Sequence, residues 1–335
     1  MLVVAPSWAG DLVMAQSLFR LLRDDGALID LIAPPQVLAL TRRMPEIGHA
    51  WPLPIPHGVF GFAARLRLGK ELRAREYDWS IVLPNSWKSA LVPFIARIPR
   101  RTGYTGEWRG GLLNDRRRLD ERRLPRMVDR YCALAVDEHV RVEAPLPRLS
   151  PSAAGARTAL TRLHLPWPER PVLALCPGAE YGPAKRWPAA SFAAVAAQAC
   201  RQGWAVWLFG STKDAAAAHA VRALVPACVD LTGKTTFDEA VDLMSLSAAV
   251  VANDSGLMHV AAALARPLVA LFGSSSPEHT PPLSPTARVL TLGLPCSPCF
   301  ARICPLGHTR CLNDLAPLQV LAALSEMVPE FTGGT

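Results

Sequence analysis

Apolar and polar positions follow two alternating periods along the chain. Leu2 to Pro6 is a short continuous apolar run, as expected of a buried strand. Leu12, Val13, Ala15, Leu18, Phe19 and Leu22 then recur at helical spacing and predict a helix over 11–24. The same alternation predicts a strand at 28–33 closed by Pro34-Pro35, a helix at 36–43, a basic amphipathic helix at 60–75 and a strand at 79–83. Residues 86–98 are apolar and predict a helix despite Pro93. The Gly- and Arg-rich stretch 97–127 predicts a strand edge and a long loop, and 128–138 returns to helix.

The Pro/Ser stretch "EAPLPRLSPSAAG", 143–155, reads as a linker. Beyond it come a short helix at 153–163 and a cleaner alternation. Strands are expected at 172–176, 204–209, 229–231, 248–252 and 268–272, and helices at 188–202, 213–224, 236–246 and 256–265. Alternating strand and helix favours doubly wound parallel sheets. The expected architecture is α/β, with two Rossmann-like domains, 1–150 and 151–335, facing a central cleft. The C-terminal tail is free to pack back on the first domain. No internal repeat shows in the sequence.

Composition adds a charge pattern. Residues 1–165 hold 25 Lys and Arg against 16 Asp and Glu, whereas 166–335 hold 11 against 12. The first half therefore suits an anionic partner. A solvated arginine surface is the plainer reading. The apolar stretches are too short to span a bilayer, and no signal peptide is expected at the N-terminus. Eight cysteines in a cytoplasmic chain should stay mostly reduced.

Candidate chemistry gathers at strand ends of the second half. In "VVANDSGLMHVAAALARP" a strand ends at Asn253-Asp254, and Ser255-Gly256 opens a helix carrying His259 near its first turn. Free N–H groups and a positive dipole end suit a phosphate there. Asp254 or Ser255 acting only as a helix cap, with His259 packed locally, is the alternative. The loop "LCPGAEYGPAKRWP" offers Lys185 to a diphosphate, and "LFGSTKD" offers Asp214 to ribose hydroxyls. Neither GxGxxG nor GxxxxGK[ST] occurs, which argues against nicotinamide enzymes and P-loop NTPases. No RNA-reading motif with interleaved aromatics appears, so no nucleic-acid partner is expected.

The opening "PSWAGDLVMAQSLFR", with "PGAEYGPAKRWP" and "NDSGLMHVAAAL", resembles the ADP-heptose:lipopolysaccharide heptosyltransferases of glycosyltransferase family 9. "RTGYTGEWRGGLLND", "MVDRYCALA" and "CSPCFARICPLGHTRC" narrow the resemblance to the type II group. The resemblance implies a GT-B fold, an acceptor-binding first domain and an ADP-heptose-binding second domain. It implies inverting transfer of L-glycero-D-manno-heptose to the first heptose of the lipopolysaccharide inner core, heptosyl-Kdo2-lipid A. Asp11 takes the family's base position, the alternative being a helix cap. Ser7, Trp8 and Gly10 would line the acceptor pocket, with Arg117 and Arg118 among the cations meeting acceptor anions. Trp8 could equally be core. Lys185, Asp214, Asp254, Ser255, Gly256 and His259 would hold ADP-heptose. No DxD motif is present, so no metal is required, with magnesium as an optional assistant. A cytoplasmic enzyme in peripheral contact with the anionic inner face of the inner membrane is expected. Heptosyltransferase types I and III, or a sugar-nucleotide or nucleic-acid binding module without turnover, are the alternatives.

Cys296, Cys299, Cys304 and Cys311, with His308, have metal-like spacing. A zinc knuckle, a reduced compact loop and disulfides formed on oxidation all fit it.

Overall fold

The structure is a computed structural model that describes residues 1–55 and 59–331. The chain divides into two units, Met1–Pro147 and Arg148–Thr335. Each is built on one six-stranded sheet.

The first sheet consists of β1 (Leu2–Val4), β2 (Ile29–Ala33), β3 (Ile47–Pro52), β4 (Trp79–Val82), β5 (Arg100–Tyr104) and β6 (Asp115–Arg117). The second consists of β7 (Val172–Cys176), β8 (Ala205–Leu208), β9 (Val229–Asp230), β10 (Ala249–Asn253), β11 (Leu268–Leu271) and β12 (Ala287–Leu290). The orders are β3-β2-β1-β4-β5-β6 and β12-β11-β10-β7-β8-β9, with every neighbouring pair parallel. Counted from its own first strand, each sheet has the same order. The order reverses between β1 and β4 in one sheet and between β7 and β10 in the other. In open parallel sheets, ligands bind outside the carboxyl ends of the strands at this reversal.

Burial follows from the sequence. β1, β7, β10 and β11 are continuous apolar runs and are buried along their whole length, as strands covered on both faces must be. The second unit's core packs Val195, Ala196 and Ala199 of the helix Ala189–Arg201 against strand residues Leu173, Leu175 and Val206. The helix Pro317–Met327 adds Val320, Ala323 and Leu324 to that core. The first unit's core gathers Leu2, Val4, Ile32 and Val82 with Leu68 and Leu72 of the helix Phe62–Leu72.

Several expected elements are shorter than their apolar patterns. The helix expected over 60–75 spans Phe62–Leu72 and ends in a tighter turn at Arg73–Arg75. The stretch 86–98 breaks into a tight turn at Trp87–Ala90 and a short helix at Leu91–Ile95, in which Pro93 sits within the first turn, where its missing N–H costs nothing. The Arg-rich stretch holds two strands, β5 and β6.

Candidate active site

The second unit's reversal point is assembled by three loops. Asn253, at the end of β10, is fully buried. Its Nδ2 donates to Pro177 O at 2.8 Å, and its Oδ1 accepts from the Trp187 N–H at 3.1 Å. One amide thereby ties the loop after β7 to the end of β10. The indole of Trp187 donates to Leu315 O at 2.9 Å, which anchors that loop to the core.

Lys185 and Asp254 meet on this frame, Nζ to Oδ2 at 2.5 Å. The Asp254 side chain is 6 % exposed and that of Lys185 17 %. Ser255 occupies the N-cap of the helix Gly256–Ala263 in extended conformation, and its side chain makes no cap bond. Asp254 turns its Oδ2 to Lys185. The helix start is left without a side-chain cap beside a lysine, which is a setting for an anion.

His259 is buried behind this pair. Burial pushes its imidazole down to about 4; Asp254 pulls the other way, and Lys185 adds to the depression. At neutral pH it is uncharged, so it offers a hydrogen bond and no cation.

Asp214 is buried at the end of the loop after β8. Its Oδ2 accepts from Ser211 N at 2.9 Å and Ser211 Oγ at 2.8 Å, a capping box. Its Oδ1 is buried without a hydrogen-bond partner. A Cβ on Gly178 would lie 2.1 Å from Asp214 Cγ, so only glycine admits the carboxylate there. Asp214 is both a cap and an open acceptor facing the loop after β7.

In the first unit, Trp8 is the N-cap of the helix Ala9–Asp24, and Asp11 lies in its first turn. The dipole at a helix start favours an ionised carboxylate, the form a base needs. Asp11 also accepts a hydrogen bond from the buried Tyr131 hydroxyl. Tyr131 belongs to the helix Met127–Cys132, and burial followed by the Asp11 charge raises its phenol well above the usual value of 10.0. The helix after β1 thus carries a held carboxylate in its first turn, at the first sheet's reversal point.

A profile of glycosyltransferase family 9 (heptosyltransferase) matches residues 65–310. The chain belongs to this family. It is 46 % identical over 98 % of its length to lipopolysaccharide heptosyltransferase 2 of Salmonella typhimurium, 98 % of which is covered. The Escherichia coli K12 relative of the same name gives the same identity and coverage. The solved structure of E. coli ADP-heptose lipopolysaccharide heptosyltransferase II superposes with a TM-score of 0.88 at 44 % identity, covering 98 % of both chains. The protein is a family 9 transferase, and its two parallel six-stranded sheets are those of a two-domain GT-B glycosyltransferase.

The other expected residues fall as follows. Ser7 and Trp8 are exposed, and Gly10 is buried in the helix's first turn. Arg118 is exposed. Arg117 is not a free surface cation: its side chain is 9 % exposed and its Nε lies 2.8 Å from Asp115 Oδ1. Arg100 also pairs with Asp115, and Arg101 and Arg123 donate to backbone carbonyls. Much of the arginine run therefore builds the fold. By structural unit the charge split is milder, 22 basic to 16 acidic residues before Arg148 and 14 to 12 from there on.

The cysteine-rich segment packs against the Lys185 loop. Tyr181 donates to Phe300 O at 2.8 Å, and Ala184 N to Arg302 O at 3.1 Å. Arg302 and Lys185 both lie near the Tyr181 ring, 5.0 Å and 4.9 Å from its centre. Cys296, Cys299, Cys304 and Cys311 are free thiols. Among the described residues no group of three or more His, Cys, Asp or Glu is arranged to hold a metal. The segment braces the Lys185 loop.

Sequence reasoning missed Tyr131, Asn253 and Tyr181. Their roles depend on which strands and loops are neighbours, and no spacing signals that.

Proposed function

We infer that the protein transfers L-glycero-D-manno-heptose from ADP-heptose to the first heptose of the lipopolysaccharide inner core. The observation that carries this is likeness over nearly the whole chain to heptosyltransferases named type 2. By contrast, the likeness to Pseudomonas aeruginosa lipopolysaccharide heptosyltransferase 1 is 32 % over only 41 % of the chain.

The residues support an inverting displacement. The Asp11 carboxylate takes the proton of the acceptor hydroxyl as its oxygen attacks the anomeric carbon. ADP departs from the opposite face of the sugar. Negative charge then grows on the diphosphate, where Lys185 and the uncapped start of Gly256–Ala263 stabilise it. His259, uncharged, donates or accepts one hydrogen bond there, and the open Oδ1 of Asp214 suits a ribose hydroxyl. These groups supply the charge without a cofactor, and magnesium is left an assisting role. Ser7, Trp8 and Arg118 contribute to the acceptor side, with exposed arginines making peripheral contact with an anionic membrane face.

Mass spectrometry of acceptors incubated with ADP-heptose tests this. A gain of one heptose on heptosyl-Kdo2-lipid A, and none on Kdo2-lipid A, is expected. Addition to the heptose-free acceptor would assign the protein to type I instead.

A further inference from the structure

The loop after β5 borders an open pocket of about 320 Å³ that the transfer chemistry above leaves unused. Gly106, Trp108, Arg109, Gly110 and Arg116 form most of its wall.

Arg109 is the fixed part of that wall, at 1 % exposure. It donates to Tyr104 O at 2.8 Å, Pro84 O at 2.5 Å and Asn85 Oδ1 at 3.0 Å. Its guanidinium is thereby spent on joining the loop after β5 to the loop after β4. Glu107 adds a second tie by accepting from the Trp87 N–H at 2.9 Å.

Trp108 and Arg116 are different. Trp108 is 99 % exposed on this braced frame. Glu107 and Trp108 both adopt left-handed backbone, with φ of 33° and 55°. Side chains with a Cβ disfavour that region, and here it turns a large indole outward. Arg116 is exposed, and its guanidinium makes no hydrogen bond or ion pair with any described residue. Its neighbour Arg117, in contrast, is buried and bound to Asp115.

We propose that this pocket binds a sugar ring bearing a carboxylate or phosphate, as part of the acceptor. An indole face matches the C–H face of a pyranose. A free guanidinium takes a carboxylate or phosphate by paired N–H bonds. The carboxyl end of a parallel strand is where such sheets receive ligands. A neutral or apolar ligand would leave Arg116 unused. The nucleotide candidates all lie in the second unit, which assigns this pocket to the acceptor; in this respect the proposal rests on the heptosyl-transfer reading.

Trp108→Ala and Arg116→Gln in the full chain test it. In each, the acceptor KM rises about tenfold while the ADP-heptose KM and the kcat at saturating acceptor stay near wild type. Arg116→Lys recovers part of the loss. Wild-type transfer in the same assay judges the heptosyl-transfer reading separately. A second arm needs no turnover: the Trp108 indole N–H signal, assigned by its loss in Trp108→Phe, is titrated with glucuronate, glucose 6-phosphate, glucose and inorganic phosphate. A larger shift with either charged sugar than with glucose or phosphate supports the proposal, and the stronger of the two names the anion. Acceptor KM values within about twofold of wild type in both variants overturn it. So does an indole signal that no charged sugar moves further than glucose does.

Discussion

The Tyr131 hydroxyl donates its hydrogen bond to the Asp11 carboxylate, joining the helix Met127–Cys132 to the first turn of Ala9–Asp24. Because the Tyr131 phenol is held well above 10.0, it remains protonated and donating throughout the working pH range. A hydrogen bond to the ionised form of a carboxylate favours that form.

Removing this donor should make Asp11 easier to protonate. In Tyr131→Phe the acidic limb of the kcat/KM profile is expected to move to higher pH, by about half to one unit. The fold should persist, since the ring stays in place. An acidic limb that does not move, measured against pH with wild type alongside, would show that Tyr131 only fills space.

The Lys185–Asp254 pair predicts a separable effect on stability and binding. Lys185→Ala leaves the buried Asp254 carboxylate unpaired, at an expected cost of about 2–3 kcal/mol, below the range for fully buried pairs because Lys185 is partly exposed. ADP affinity should fall about tenfold or more, as a cation is lost beside the phosphates. Adding Asp254→Asn should restore much of the stability and leave ADP binding weak. Thermal melts and ADP titration of the single and double variants check this. Recovery of both properties together would mean that Lys185 serves Asp254 and not the nucleotide.

His259 predicts a pH dependence of folding. Its folded value of about 4 lies below the ordinary 6.5. Between those values the unfolded chain binds the proton more readily, so stability is lost as pH falls from 6.5 towards 4. Above 6.5 the contribution is constant. The second unit of His259→Gln should therefore lose less stability than wild type over that window, by up to about 3 kcal/mol. Parallel slopes of melting temperature against pH in the two proteins would contradict the buried neutral imidazole.

The interior strands were legible in the sequence. β1, β7, β11 and, up to its terminal Asn253, β10 are apolar runs, because strands covered on both faces leave no polar side. Of the four edge strands only β9, expected at 229–231, was legible. β3 reads Ile-Gly-His-Ala-Trp-Pro and is half-exposed, β6 is Asp-Arg-Arg, and β12 is only partly buried. Without them the shared strand order of the two sheets stays hidden, although it places both candidate sites at reversal points. Lys185 and Asp254 could be singled out as charged residues in the segments that follow apolar runs, and Asp11 through the resemblance of the motif around it. Tyr131 and Asn253 gain their roles from partners far away in sequence. Arg117 was misleading for a related reason: a charge count registers a cation and does not see Asp115 neutralising it in a buried pocket.

The account depends most on Asp11 as the base. The direct measurement is the transfer rate of Asp11→Asn at saturating ADP-heptose and heptosyl acceptor, with ADP affinity and melting temperature recorded on the same preparation. The rate should fall by about a hundredfold or more, the range typical of a lost general base, with ADP affinity and folding unchanged. A well-folded Asp11→Asn protein that transfers heptose at close to the wild-type rate would contradict the account.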